Sequence, residues 1–394
     1  MTAPTRTHAP ALCGSHAARP RNQRGSQMFA RTNSITRALA VVGAALALTV
    51  AGGSPASADP PPAAAGTTSH GFVATRGALT PIDHPDATTI PAAPGGQAGT
   101  ATGGINDRSQ ILGAYEGADR VVRHFVRDKK GRYTALEEPA DGPDGQASDE
   151  YVDINNHGEI VGFYNDEQGS TTTGFLRTRK GRFVDIDVPG SQVTGPLKVN
   201  DRRQVVGIYV DADEQPNPDG TAPPGAVHGF LWDAGDFETI DVSGAAATLP
   251  TGINDRGHIV GSYIDPGGAY HGFVRDRSGH VTTLPEAPDS DPTAGGTQPT
   301  SINDRGQIVG LAYDARGGSR AFLYERGRFR LFEGTSDAVY TRALDLNNRG
   351  QIVGDYGTPP TNKRDAGTRG GARVQPADPS PELPAGLEMW RETR

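Results

Sequence analysis

Ile105-Asn-Asp-Arg-Ser-Gln-Ile-Leu-Gly-Ala-Tyr115 is the first copy of a phrase that this chain uses six times. The later copies begin at residues 154, 199, 253, 302 and 346, so successive starts are 49, 45, 54, 49 and 44 residues apart. A second phrase, of the form His70-Gly-Phe-Val73, alternates with the first and also occurs six times. A period of this length is typical of stacked or radial arrays of one supersecondary unit.

Each period contains four short segments with the composition of β-strands, and no helix-length apolar periodicity occurs between residues 70 and 358. We name the segments a (ending at Ile-Asn), b (Ile-Val-Gly-x-Tyr), c (His-Gly-Phe-Val) and d (the run after the next Gly turn). The chain opens with c and d and closes with a and b. Six complete units therefore form only if the two chain ends share the last one.

Four antiparallel strands repeated four to eight times describe a β-propeller. The sequence thus predicts an all-β, six-bladed β-propeller of four-stranded antiparallel blades, with the last blade closed by the N- and C-terminal strands. A β-solenoid is the alternative, because solenoids also have a fixed period. Crossing between blades requires about five extended residues, and the d-to-a connections are mostly ten or longer. We expect blade boundaries there, and the phasing that begins each blade with c stays open.

Three positions of the repeat are expected to be structural. The turn Asn, the strand-b Gly and the strand-c Phe recur in every unit: Asn106, Asn155, Asn200, Asn254, Asn303 and Asn347; Gly113, Gly162, Gly207, Gly261, Gly310 and Gly354; Phe72, Phe125, Phe175, Phe230, Phe273 and Phe322. Glycine weakens a strand unless something must approach closely. We therefore expect each Phe to pack over such a glycine, between neighbouring units.

The a–b connection has the composition of a tight hairpin turn, Asn-Asp-Arg-Gly. Ser109 and Arg203 replace its Gly in two units, and these turns should be strained or differently shaped. Four copies carry an Asn-Asp pair and two carry Asn-Asn: Asn106-Asp107, Asn200-Asp201, Asn254-Asp255 and Asn303-Asp304, against Asn155-Asn156 and Asn347-Asn348. Turn chemistry accounts for both versions, so we assign the carboxylates to structure.

The N-terminal 58 residues have the pattern of a secretory signal peptide. Arg31 and Arg37 precede an apolar run of 16 residues, and Ala56-Ser-Ala58 forms a small-x-small cleavage site. The run is shorter than the roughly 20 residues of a membrane-spanning helix, and Met28 is an alternative start. We expect a linker over 59–69, the six repeats over 70–358 and a disordered tail over 359–394.

Charge and cysteine content narrow the function classes. The only cysteine, Cys13, lies in the predicted leader, so the mature chain would be free of disulfides and of thiol chemistry. Without the six leader arginines, 32 Lys and Arg stand against 46 Asp and Glu, a net charge of −14. Nucleic acids and anionic membranes attract basic surfaces, so neither is an expected partner.

The two alternating phrases resemble the HAF-repeat family, whose members are regarded as extracellular repeat proteins named for a His-Ala-Phe signature. Here the signature reads His-Gly-Phe three times and Arg320-Ala-Phe322 once, and the resemblance covers about residues 70–358. It implies location and repeat architecture. It implies no activity, cofactor or substrate.

Two groups of side chains are candidates for metal binding, although we expect no metal and no cofactor. The first contains the strand-c histidines His70, His124, His228 and His271, which we expect to hydrogen-bond within their own units. The second is the acidic loop with Asp211, Asp213, Glu214 and Asp219, which lacks the Gly and terminal Glu of a calcium loop. No nucleophile elbow, zinc-protease motif or phosphate loop occurs.

The sequence predicts a secreted, monomeric binding module. We favour binding over catalysis as its function. Its contact surface would be the face with the b–c loops and the d-to-a crossings, since these vary in length and variable loops on a rigid scaffold usually bind. The partner would be an extracellular protein, glycan or small ligand. The alternatives are a secreted carbohydrate-active hydrolase or lyase and an envelope-associated structural protein.

Overall fold

The computed structural model describes residues 68–88, 98–136, 149–165, 171–211 and 227–359, all of which belong to one compact unit within residues 32–394. Within these ranges the secondary structure is 24 β-strands and one short 3-10 turn at Pro292–Ala294. The described part of the chain contains no helix of the length and apolarity that crossing a bilayer requires. The predicted leader, most of the linker, residues 360–394 of the predicted tail and most of the acidic loop lie outside the described residues.

The strands follow the predicted a, b, c, d order. The a strands are β3 (Ala98–Ile105), β7 (Asp149–Ile154), β11 (Ser191–Val199), β15 (Ala247–Ile253), β19 (Thr297–Ile302) and β23 (Tyr340–Leu346). The b strands are β4 (Ile111–Glu116), β8 (Ile160–Asn165), β12 (Val205–Asp211), β16 (Ile259–Ile264), β20 (Ile308–Tyr313) and β24 (Gln351–Thr358).

The c strands are β5 (Val122–Arg127), β9 (Thr172–Arg177), β13 (Val227–Asp233), β17 (Tyr270–Arg275), β21 (Ser319–Glu325) and β1 (Thr68–Thr75). The d strands are β6 (Tyr133–Ala135), β10 (Phe183–Ile186), β14 (Asp236–Ile240), β18 (Val281–Thr283), β22 (Arg328–Phe332) and β2 (Ala78–Ile82). The all-β prediction is confirmed over the described residues.

Antiparallel pairing joins a to b, b to c and c to d in each group, which makes four-stranded sheets with boundaries at the d-to-a connections. We number these units from β3–β6 (unit 1) to β19–β22 (unit 5). Unit 6 takes strands from both chain ends, because β24 pairs with β23 on one side and, over eight residues, with β1 on the other. Short parallel contacts also join β1 to β3 and β9 to β11.

The a strands of successive units lie against one another, and β23 also lies against β3. The line that these six strands surround is called the axis below. The hydrophobic core lies between facing sheets of neighbouring units: Val260 and Val274 of unit 4, for example, pack with Ile302 and Phe322 of unit 5. Both faces of most sheets are therefore covered, which explains the nearly continuous apolar character of the b strands.

Each strand-b glycine is the direct cross-strand partner of a strand-c phenylalanine in the same sheet. At Gly113, an added Cβ would lie 2.5 Å from the Phe125 ring and 2.6 Å from the Ala101 carbonyl oxygen. All six phenylalanines are at most 1% exposed. The expected packing of Phe on Gly is present, but our placement of it between units was wrong, because strand pairing holds both residues in one sheet.

Every a strand carries a β-bulge near its middle, which the repeat pattern did not predict. The pairing with strand b skips one or two residues at the same place in all six units, namely Gly103 and Gly104, Val152, Leu197, Thr251, Thr300 and Leu344. A bulge redirects the side chains that follow it. It thus determines which residues of the a strand face the axis.

Candidate functional site

The six turn asparagines form a continuous circuit of hydrogen bonds around the axis. Asn106 donates from Nδ2 to the carbonyl oxygen of Asn155, and the pattern repeats from unit to unit until Asn347 donates to the carbonyl oxygen of Asn106, at 3.0–3.1 Å throughout. Each Oδ1 also accepts the backbone N–H groups two and four residues later, as Asn106 does from Arg108 and Gln110. The asparagines therefore build the turn and join the units.

The residue after each asparagine forms a second circuit, which is more exposed than the first and is called the outer circuit below. The backbone N–H of each donates to the side-chain Oδ1 of its counterpart in the next unit, in the order Asp107, Asn156, Asp201, Asp255, Asp304, Asn348 and back to Asp107, at 2.6–2.9 Å. The assignment of these carboxylates to turn chemistry was incomplete, since they accept hydrogen bonds from neighbouring units.

Asn156 and Asn348 divide the outer circuit into two unlike halves. The amide of Asn156 donates to both Asp107 and Asp201, and that of Asn348 donates to both Asp107 and Asp304. Asp255 instead stands between the carboxylates Asp201 and Asp304. Burial, followed by the charges of these two neighbours, raises the pKa of Asp255 to about 6.

These two circuits surround a polar cavity of about 70 Å³ on the axis, here called the turn-side cavity. Ser109 and Arg203, at the predicted irregular turns, have φ values of 57° and 64° and thus hold the left-handed conformation that Gly holds elsewhere. The turns keep one shape in all six units despite these two substitutions.

A buried layer of charge closes the inner end of the turn-side cavity. Lys198 of β11 contacts Asp153 of the neighbouring strand β7, at 3.0 Å from Nζ to Oδ1, and reaches across the axis to Asp345 of β23. Burial alone would lower the pKa of Lys198, but the two carboxylates outweigh it and hold this pKa above its ordinary value. Asp345 also accepts the Ile105 N–H and the Ser301 hydroxyl, so the layer links five of the six units.

A second cavity of about 100 Å³ lies on the other side of this layer, and we call it the loop-side cavity. Lys198 of the charged layer lines its inner end. The rest of its axial wall consists of residues that precede this layer in the a strands: Ala101, Thr102, Gly103, Tyr151, Val152, Leu197, Thr251, Thr300 and Leu344. Gly113, Ala114, Val122, His124 and Glu150 extend it sideways between units 1 and 2. It therefore lies toward the loop face, where we expected a ligand.

His124 and Glu150 are the buried polar pair of the loop-side cavity. They are 6% and 2% exposed, and His124 Nε2 lies 3.6 Å from Glu150 Oε2, beyond ordinary hydrogen-bond length. Among the described residues, neither ring nitrogen of His124 has a hydrogen-bond partner. The ring packs against that of Tyr151, with centroids 5.0 Å apart. A buried imidazole in this condition is unusual, because buried polar groups are nearly always hydrogen-bonded.

His124 occupies a position at which the other units have a small residue. The equivalents are Gly71, Gly174, Gly229, Gly272 and Ala321. A Cβ added to Gly174 would lie 2.4 Å from Pro196 of the next a strand, and one added to Gly229 would lie 2.4 Å from Pro250. The same contact joins Gly272 to Pro299, whereas Gly71 meets Thr102, and Ala321 and Ala343 hold these positions where units 5 and 6 meet. Where units 1 and 2 meet, the larger side chains of His124 and Tyr151 stand at these positions, and the loop-side cavity opens beside them.

The other strand-c histidines lie within their own units and do not share a site. His70 Nδ1 is 2.8 Å from Asp83 Oδ1, and His228 Nδ1 is 2.9 Å from Asp241 Oδ2, in each case across from strand c to the end of strand d. His271 is paired with Asp265, at 3.2 Å. These three histidines also lie beside the strand-b tyrosines Tyr356, Tyr209 and Tyr263, respectively.

Metal-binding geometry is not found in the ranges that the structure describes, since no three His, Cys, Asp or Glu side chains form a ligand cluster there. Asp213, Glu214 and Asp219 fall outside those ranges. Asp211 is described, and its Oδ2 lies 3.7 Å from His228 Nε2.

A third cavity, of about 320 Å³, lies between units 3 and 4 beside the turns. Its three arginines, Arg202, Arg275 and Arg277, are matched in number by Asp233, Asp236 and Glu238. Glu238 binds Arg275 directly. The balance of charge gives this cavity no selectivity for one sign of ligand.

No family model matches the sequence, and no curated protein matches it. Similar solved structures include TolB from Acinetobacter baumannii (12% identity, TM-score 0.40, 74% of this chain and 66% of TolB). Others are the β-propeller domain of the Trilobed protease from Pyrococcus furiosus (11%, 0.40, 73% and 87%) and an Aleuria aurantia lectin mutant in complex with α-methyl-L-fucoside (11%, 0.37, 76% and 97%). Similarity at this level says nothing about ligand or activity.

Proposed function

We propose that this chain is a secreted, monomeric, six-bladed β-propeller that binds an extracellular ligand in its loop-side cavity. The pairing of β1 with β24 supports closure of the propeller by both chain ends, as does the hydrogen bond from Asn347 to Asn106. A solenoid would leave its first and last units apart. Membership of the HAF-repeat family is part of the same proposal.

Closure can be tested by deleting residues 346–356, which removes most of β24. If the ring is closed, the deletion leaves β1 and β23 without their shared partner, and we expect loss of cooperative unfolding in circular dichroism. A truncated chain that unfolds as cooperatively and at the same temperature as the full chain would contradict closure.

Secretion can be tested by expressing the full sequence and determining the N-terminal residue of the protein recovered from the medium. We expect Asp59, because Ala58 completes the small-x-small cleavage site. Retention of the intact leader on the recovered protein would count against this part of the proposal.

One observation carries the binding role: where units 1 and 2 meet, a buried histidine and a tyrosine stand in place of the Gly–Pro contact and leave a cavity. In every other unit the strand-c residue at this position is Gly or Ala. A large polar residue at a place where packing favours a small one is a departure of the kind expected at functional sites. Among the described residues His124, Tyr151 and Glu150 are the polar side chains of this departure. They add a donor, an acceptor and an aromatic face to a mainly apolar wall, as ligand sites commonly do.

The test compares ligand binding by two variants of one unit. Ala114→Leu fills the loop-side cavity, whereas Ala135→Leu adds the same atoms to an exposed position on the outer strand. On glycan and small-molecule arrays, any ligand of the cavity should be lost with the first variant and kept with the second. Retention by both variants would place binding elsewhere, and release of product from a bound polysaccharide would favour the hydrolase or lyase.

A further inference from the structure

The polar groups of the loop-side cavity define the chemistry of what it can hold. A neutral imidazole has one N–H donor and one acceptor nitrogen, and an ionised carboxylate only accepts. His124 Nε2 and Glu150 Oε2 are 3.6 Å apart, so one oxygen atom about 2.8 Å from each can bridge them. Because Nε2 faces a carboxylate, which favours the tautomer with the proton on Nε2, that oxygen accepts from the imidazole and donates to the carboxylate.

We infer that the loop-side cavity binds a polyol through a hydroxyl group held between His124 Nε2 and Glu150 Oε2. A hydroxyl both donates and accepts, as this position requires. An ammonium group could donate to Glu150 but could not accept from the imidazole. A ligand carboxylate would be repelled by Glu150, and Lys198, the cation of the wall, is already paired with Asp153 and Asp345. The remaining nitrogen of His124, Nδ1, then accepts from a second hydroxyl of the same ligand. This inference rests on the proposed function and specifies its ligand class.

The rest of the cavity wall fits such a ligand. The hydroxyls of Thr102, Thr251 and Thr300 donate to backbone carbonyl oxygens of neighbouring strands at 2.6–2.8 Å, so toward the cavity they offer acceptor lone pairs. Small and aliphatic residues form most of the remaining surface and match the C–H groups of a polyol.

Size limits how much of the ligand enters. A cavity of about 100 Å³ corresponds to roughly three molecules of liquid water. That volume holds a free diol or triol, or one end of a longer polyhydroxylated molecule such as the terminal residue of a glycan. Both sources have the same hydroxyl chemistry, and the experiment below distinguishes them.

The experiment follows the imidazole nitrogens of His124 by NMR in the full secreted chain with ¹⁵N-labelled histidine. Glycerol is the probe, and 1,2-dimethoxyethane is the control, because it has the same number of non-hydrogen atoms but no donor. We expect a saturable shift of the His124 signals with glycerol alone, while those of His228 and His271 stay unchanged. The absence of a saturable shift, or an equal shift with 1,2-dimethoxyethane, would overturn the inference.

Glu150→Gln tests the second contact while keeping the shape of the side chain. It replaces a charged acceptor by a neutral one, and we expect glycerol affinity to fall about tenfold or more. Affinity within twofold of the unsubstituted chain would exclude Glu150 as the acceptor. Unchanged unfolding by denaturant checks that the variant is folded, and His124→Phe provides a second variant that removes both nitrogens and keeps a ring beside Tyr151.

A series of methyl glycosides forms the second arm. If glycosides compete with glycerol and bind more tightly, the natural ligand is the end of a glycan; if only glycerol and similar small molecules bind, it is a free polyol. If glycerol leaves the His124 signals unshifted while another ligand binds the chain and is excluded by Ala114→Leu, that result would refute this inference and leave the proposed function standing. If Ala114→Leu excludes no ligand at all, the proposed function itself fails.

Discussion

The turn-side and loop-side cavities lie on the same axis and are built by the same six strands, yet they use the repeat in opposite ways. On the turn side every unit contributes the same asparagine to one hydrogen-bonded circuit, and the side chains serve one another. On the loop side the residue pairs differ between junctions, and only where units 1 and 2 meet does strand c carry a large residue, His124. Among the described residues its imidazole has no hydrogen-bond partner. Repetition thus builds a scaffold, and the proposed site lies where the repeat carries its largest side chain at this position.

The layer of charge between the two cavities should have the largest effect on stability. Lys198→Met leaves Asp153 and Asp345 buried together without their shared cation, and losing one partner of a buried ion pair costs about 3–5 kcal/mol. We expect the free energy of unfolding, measured with a denaturant, to fall by that amount at pH 7. Adding Asp153→Asn to Lys198→Met should recover part of the loss. A fall below about 1 kcal/mol in the single variant would show that the layer does not hold the units together.

Substitutions in the asparagine circuit should have the second largest effect on stability. Asn254→Ala removes the two turn hydrogen bonds and the bond to Asn303 of the next unit, and we expect a loss of about 2–3 kcal/mol in the free energy of unfolding. Asp314→Ala is the matched control, because Asp314 accepts the same two backbone bonds in a turn within unit 5 and, among the described residues, joins no other unit. It should cost about 1 kcal/mol. Equal losses would mean that the bond between units adds nothing.

The repeat alone was enough to predict the four strands of each unit, their order and the contact of Phe125 with Gly113, because hydrophobic alternation and glycine placement are local signals. It did not show that these two residues are cross-strand partners in one sheet. It did not reveal the bulges, since Val152 and Leu197 look like ordinary strand residues and only pairing across the sheet shows that they are extra. The circuit from Asp107 through Asn156 joins residues 49 apart and depends on how units pack.

The loop-side cavity was missed for a related reason. His124 was visible as an irregular copy of the His-Gly-Phe phrase, but it was grouped with His70 as a metal candidate. The informative signal was that a large residue stands where the other units have Gly or Ala. That becomes a functional signal only once the structure shows that the next strand packs against the small residue.

The unlike halves of the outer turn-side circuit provide a pH-dependent test. Asp255 has a pKa of about 6 in the folded state against 3.8 ordinarily. Its ionisation therefore lowers the free energy of unfolding as the pH rises from about 4 to above 6, and has no effect on it below about pH 4. Asp255→Asn should therefore raise the free energy of unfolding by about 1–2 kcal/mol at pH 8, after allowance for partial solvent screening, and by about zero at pH 4.

Asp107→Asn is the control in the other half of that circuit. Asp107 accepts from the amides of Asn156 and Asn348, and an amide there would lose at least one of these bonds, so we expect destabilisation by about 1 kcal/mol at pH 8. Effects of the same sign in both variants would show that the two halves do not differ electrostatically. The unfolding free energies at pH 4 and pH 8 decide the matter.

The smallest expected effect on stability is at the loop-side cavity itself. His124→Ala removes a side chain that makes no hydrogen bond with the described residues and restores a residue that unit 5 has naturally, as Ala321, so unfolding should change by less than about 1 kcal/mol while polyol binding is lost. The equivalent position in unit 2 gives the contrast, because Gly174→Ala would press a methyl group against Pro196 and should cost about 1–3 kcal/mol. If His124→Ala destabilised the chain as much as Gly174→Ala, the imidazole would be part of the packing between units. Its departure from the repeat would then have a structural cause, and the loop-side cavity would lose its claim to be the site.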